Sequence, residues 1–126
     1  MGFSIHDDLL DNGPAYLKAE CTEITVCSAE PTTYTQAHTT YKLADVVVDT
    51  ADFTLAAGDV NGRKVTQAAQ SGITVDADGT ANHIAFNDTG ATKLLMVKPI
   101  TAQVVAIGNT ITIPANKWET NVPTAV

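Results

Sequence analysis

The stretch Gly79-Thr80-Ala81-Asn82-His83-Ile84-Ala85-Phe86-Asn87-Asp88-Thr89-Gly90-Ala91-Thr92-Lys93-Leu94-Leu95-Met96-Val97 decides the fold. It holds a segment with Ile84 and Phe86 on one face, a turn signal at Asn87 to Gly90, and an apolar run from Leu94 to Val97. Asn, Asp and Gly tolerate φ > 0, and Asn and Asp side chains also hydrogen-bond their own backbone, so the stretch reads as two strands and the turn between them. The same rhythm runs outward on both sides. Asp76-Ala77-Asp78-Gly79 and Gly108-Asn109 repeat the turn chemistry, and from Gly72 to Asn121 such a signal recurs about every ten residues. Strands are expected near 73–75, 80–87, 91–98, 101–107, 109–114 and 117–121. Pro99 falls between two of them and marks an edge or a corner, because a central strand would lose a ladder bond there. The pattern predicts a mainly β chain, an antiparallel β-sandwich or jelly-roll-like barrel.

Upstream, Thr22 to Cys27 alternates, with Ile24 and Val26 on one face, and reads as the first strand. Thr32 to Thr40 is polar and threonine-rich, a loop of the length that lies across a sheet or reaches a neighbour. Tyr41 to Asp49 is a strand, Phe53 to Ala56 continues it or starts another, and Arg63 to Ala69 follows the loop Ala57 to Gly62. Eight or nine strands are expected in all. Residues 1–20 differ: Ile5, Leu9, Leu10, Ala15, Tyr16, Leu17 and Ala19 fall roughly at helical spacing, and Ser4 with Asp7 resembles a capping box. Asn12-Gly13-Pro14 either kinks one helix or makes Pro14 the first residue of a second. The chain is thus expected to be a single domain, 1–126, with 1–20 as an N-terminal helical segment.

Seven basic residues stand against fourteen acidic ones, a net charge of −7, and Arg63 is the sole arginine. That balance lacks the basic footprint that replaces phosphate counterions, so no nucleic-acid partner is expected. No apolar run approaches the roughly 20 residues that span a bilayer. The opening Met-Gly-Phe-Ser-Ile-His-Asp-Asp has neither the basic region nor the apolar core of a signal peptide, and His6 stands where myristoylation needs Ser or Thr. Synthesis in the cytoplasm without export, and no membrane partner, are the corresponding expectations. Nineteen threonines cover strand surfaces that the modest charged fraction leaves unfilled.

Candidate chemistry is sparse. Cys21 and Cys27 lie six positions apart on one strand face, roughly 20 Å from each other, too far to pair, and read as reduced, partly buried small hydrophobes. His6, His38 and His83 have no metal-site spacing, and His83 is expected to be exposed or interfacial. Asp76 and Asp78 begin a calcium-loop pattern whose twelfth position is Asn87 instead of Glu, so a hairpin turn explains them. No Gly-x-Ser-x-Gly elbow and no phosphate-binding loop occurs. No enzyme activity, no catalytic residue, no metal and no cofactor are expected. Phe3, Ile5, Leu9, Leu10, Tyr16 and Leu17 supply apolar surface that either covers the sandwich or docks on another subunit, and they are the candidate interface.

The opening Met-Gly-Phe-Ser-Ile-His-Asp-Asp-Leu-Leu-Asp, the Cys27-Ser28-Ala29-Glu30-Pro31-Thr32-Thr33-Tyr34 junction, the Gly62-Arg63-Lys64-Val65 strand and Gly79 to Phe86 together resemble small structural proteins of tailed bacteriophages. The likeness rests on patterning, not on a chemical signature. In such proteins the opening segment looks like an uninterrupted helix, from which Asn12-Gly13-Pro14 departs. The resemblance implies a non-enzymatic virion protein, a capsid decoration or cement protein whose partners are the major capsid protein or other virion proteins. It implies a homo-oligomer, with a trimer suggested by lattice geometry, assembled in the host cytoplasm and located in the virion. The alternative is a tail-associated or tail-fibre receptor- or carbohydrate-binding module, which would need an aromatic platform built from Trp118 with Tyr34 or Tyr41.

Overall fold

A computed structural model describes residues 4–5, 13–59 and 63–120. Among the described residues ten strands and one α-helix follow in chain order: β1 Ser4–Ile5, α1 Pro14–Glu20, β2 Glu23–Cys27, β3 Lys42–Val47, β4 Phe53–Ala57, β5 Arg63–Gln67, β6 Gln70–Thr74, β7 Gly79–Asp88, β8 Lys93–Val105, β9 Thr110–Ile113 and β10 Asn116–Thr120. Two short turns join them, a π-helical one at Gln36–Thr40 and a 3-10 one at Thr50–Asp52. Every strand pairing is antiparallel. The strands form a five-stranded sheet β1-β8-β7-β2-β3, a three-stranded sheet β10-β5-β4 and a ribbon β6-β9. The mainly β, sandwich-like architecture expected from the turn rhythm is what the chain adopts.

The turns work as their chemistry predicts. Asp88 Oδ1 accepts from the backbone N–H groups of Gly90 and Ala91 at 3.1 and 3.2 Å, which closes the β7–β8 hairpin. Gly108 has φ 86°, a region that only glycine enters cheaply, and Asn109 N–H donates to Ala106 at 3.1 Å across that turn. Asp78 Oδ1 accepts from Ile107 N–H at 2.7 Å, tying the turn before β7 to the turn after β8. Phe53 starts a new strand because Asp49 and Asp52 form a reciprocal capping box over the Thr50–Asp52 turn and break the chain's direction.

Two elements differ from the reading of the sequence, and at a third the structure selects one of its two alternatives. Ser4 and Ile5 are strand, paired with Val97 and Met96, so Ser4 does not cap a helix; the unpaired edge of β8 offers their backbone a ladder instead. The helix begins at Pro14, whose fixed φ and missing N–H suit a first helical position. Residues 6–12, including most of the expected first helical stretch, lie outside the described residues. The segments expected at 91–98 and 101–107 are one strand, β8, which runs through Pro99. Pro99 is tolerated because a bulge begins beside it, a setting in which a strand accommodates proline.

The bulge is wide. Ala81 pairs with Gln103 and His83 with Pro99, so Asn82 alone stands opposite Ile100, Thr101 and Ala102. A second, smaller bulge lies near the hairpin end, where Phe86 pairs with Met96 and Asn87 with Leu94, leaving Leu95 as the extra residue. Bulges re-aim side chains, and this one lets consecutive Leu95 and Met96 both reach the main core. That core gathers Leu17, Ile24, Val26, Phe53, Val65, Ile73, Ile84 and Phe86 from both sheets, the helix and the ribbon. Each such side chain contributes about 1.5–3 kcal/mol by leaving water. Lys18 fastens the helix by donating to the carbonyls of Thr50 and Phe53 at 2.7 and 2.6 Å.

Candidate functional site

The face of the five-stranded sheet turned away from the main core carries most of the buried polar residues among those described. The register that pairs Glu23 with Asn87, Thr25 with Ala85 and Cys27 with His83 puts all six residues on that face. Alternation along β2 would leave Glu23, Thr25 and Cys27 in water, yet every residue of β2 is buried. The segment 28–41 is the cause. It folds back over the sheet, with Tyr41 N–H donating to Gln36 at 2.8 Å to close the π-helical turn, and it seats Ala37 at 0% exposure in a small cluster with Cys27, Ala85 and Val97. The loop therefore lies across a sheet, one of the two roles its length allowed.

Beneath it the polar atoms form a connected seam. Glu23 Oε1 lies 2.8 Å from His38 Nδ1 and accepts from Asn87 Nδ2 at 3.1 Å. The His38 ring stacks on Tyr34, with centroids 5.0 Å apart and planes 13° from parallel. Cys27 Sγ donates to the Ala37 carbonyl at 3.7 Å and lies 3.6 Å from Thr25 Oγ1. Asn82 Nδ2 donates to the Ser28 carbonyl at 2.9 Å, which turns Asn82 Oδ1 toward His83 Nδ1 at 2.7 Å. An amide oxygen only accepts, so His83 Nδ1 is the donor in this pair. His83 Nε2 and Asn87 Oδ1 have no hydrogen-bond partner among the described residues. His83 is buried, at 8% exposure, where the sequence pattern predicted an exposed or interfacial residue; the covering loop again accounts for the difference.

Cys27, His83 and Asn82 have the composition of a thiol nucleophile set but not its geometry. The thiol is turned to Ala37, and burial pushes it up to about 11, so it stays protonated at neutral pH. Burial likewise pushes the Cys21 thiol up to about 12, and its Sγ donates to the Glu23 carbonyl at 3.5 Å. The carboxylates are separately engaged. Asp59 accepts from Lys117 and from Lys64, which hold it down to about 2. Asp76 is raised by its hydrogen bond with the Asp45 carboxyl group, whose other neighbour, Lys42, lies 3.4 Å away. Asp78 serves the turn already described. Among the described residues no three His, Cys, Asp or Glu side chains gather as a metal site.

The proposed interface residues separate. Leu17 is buried in the main core at 2% exposure, and Tyr16 is half-buried against that core, so these two cover the sandwich. The backbone of Ile5 pairs with Met96. Phe3, Leu9 and Leu10 lie outside the described residues. The aromatic platform is not assembled either. Trp118 pairs in register with Val65 and packs on the main core, while Tyr41 packs on the small cluster across the five-stranded sheet and Tyr34 is taken up by His38.

A different surface stands out. The distal half of β8 is exposed at four consecutive positions, Thr101 to Val104, so it meets solvent on both faces. Val104 is 84% and Ile107 66% exposed, and with Val47 at 80% they are the exposed large hydrophobics among the described residues. Beside this arm a small apolar cavity of about 180 Å³ opens between Ile100, Ile111, Ile113 and Pro114, reaching Val26 and Ile84. Reading the strands at 101–107 and 109–114 as ordinary sandwich strands missed it, because alternation says which residues share a face and not whether anything covers that face. Neither protein-family models, nor curated proteins, nor solved structures contain a match to this chain.

Proposed function

We propose that the chain is a non-enzymatic structural protein of a tailed-phage virion, a decoration or cement protein that stabilises the head through subunit contacts. The observation that carries the reading is the distal end of β8 and the turn after it, where Val104 and Ile107 stand in solvent. Large apolar side chains presented this way mark a surface meant for another protein. The buried thiols and the carboxylates engaged with Lys64, Lys117 or each other accord with it, since none is poised for chemistry. A net charge of −7 suits a component that sits on a shell without binding the enclosed nucleic acid. Many copies on one lattice make modest single contacts sufficient.

The test is to add purified protein to capsids that lack it and to follow co-sedimentation and electron-microscopic density. Saturable decoration at lattice-symmetric positions is the expected result. Protein that neither self-associates nor binds such capsids would overturn the proposal.

A further inference from the structure

From Thr101 to Val105 the outer edge of β8 has no strand partner among the described residues: the described pairs of β1 lie at Met96 and Val97, and β9 pairs with β6 instead. Sheet edges left open are normally blunted by charged side chains or proline. The opposite edge follows that rule, because β3 carries Lys42 and Asp45, 3.4 Å apart. The β8 edge has Pro99 at its start and no such guard after it. From Pro99 to Asn116, between Lys98 and Lys117, eighteen consecutive residues carry no charge, and all seven basic and fourteen acidic residues lie elsewhere. A chain of net charge −7 repels its own copies over most of its surface. The strand itself sets no charge against its own copy, and the carboxylate at its end, Asp78, is engaged by Ile107 N–H at 2.7 Å, whereas a basic partner would be drawn to the acidic surface elsewhere. An open antiparallel edge is also complementary to itself across a two-fold axis, since each strand offers the other the N–H and C=O groups it lacks.

We propose that a second copy of this chain docks on the distal half of β8, edge to edge and antiparallel, with Val104 and Ile107 inside the contact. The pairing joins two five-stranded sheets into one continuous sheet. It rests on the virion reading only for its setting and deepens it by naming the surface of self-association; it makes the elementary unit a dimer, where the sequence resemblance suggested a trimer.

Sedimentation equilibrium and native mass spectrometry of the full chain over a dilution series test it, using the wild type, Val104→Lys, Ile107→Lys and, as a control on the other edge, Val47→Lys. Circular dichroism confirms that each variant is folded, which their exposed positions favour. The wild type is expected to be a dimer, the first two variants to dissociate at least tenfold more readily, and the control to match the wild type. A monomeric or trimeric wild type, or a dimer weakened only by Val47→Lys, overturns the proposal. The capsid assay separates this result from the virion reading: a monomeric wild type that decorates capsids overturns the edge pairing alone, and a dimer that depends on Val104 but ignores capsids overturns the virion role alone.

Discussion

The two faces of the five-stranded sheet are both buried, but by different means. On one, Ile24, Val26, Ile84 and Phe86 meet the apolar residues of the second sheet, the helix and the ribbon. On the other, Glu23, Thr25, Cys27, His83 and Asn87 lie under a single loop, held by named hydrogen bonds. An apolar face is stabilised by area and tolerates small shifts of its neighbours, whereas a polar one depends on each partner being present. The distal arm of β8 forms a third condition: Thr101 to Val104 are covered by nothing described, and the arm is held by Val105 in the main core and by the Asp78–Ile107 hydrogen bond at its end.

The sharpest way to break the contrast is to empty the apolar face. Phe86→Ala should destabilise the fold by about 3–5 kcal/mol, read as a lower urea midpoint at unchanged slope. On the polar face, Glu23→Ala leaves Asn87 and His38 without their shared acceptor and should cost about 1–3 kcal/mol. If it costs no more than a surface substitution, the seam is not holding the loop.

The two thiols sharpen the comparison through pH. Their folded values, about 12 and about 11, lie above the ordinary 9.0, so the folded state keeps protons that the unfolded state loses. Their contribution is whole below pH 9 and declines as pH rises toward 11–12, by about 1.4 kcal/mol per pH unit for each thiol. Alkaline denaturation of the wild type compared with the Cys21→Ala/Cys27→Ala double variant isolates that slope, and alkylation of the native protein near neutral pH should label neither cysteine. The smallest effect belongs to the arm. Val104→Lys should change the unfolding free energy of one chain by no more than about 0.5 kcal/mol, because its side chain touches little there.

Much of this was readable in the residues. Asp88, Gly108 and Asp78 announced their turns because turn chemistry is local, and the alternation of Ile84 and Phe86 announced the core face for the same reason. Pro14 as a helix start was one of two readings, and the structure selects it. What escaped the sequence was whatever depends on distant chain. Whether His83 is buried is decided by residues 28–41, whether Pro99 ends a strand is decided by the bulge opposite Asn82, and whether Val104 is covered is decided by the path of β9. The uncharged run from Pro99 to Asn116 was the one signal in the sequence that could have pointed to the arm.

The placement of β2 between β3 and β7 also governs time. Its contact with β7 joins residues as far apart as Glu23 and Asn87, sixty-four positions along the chain, so the sheet's centre forms only after a long loop has closed. Chains dominated by such distant pairings fold in about milliseconds to seconds, not microseconds. During synthesis, β2 must wait with one flank unpaired until β7 has left the ribosome, and through that interval β3 is its sole strand partner.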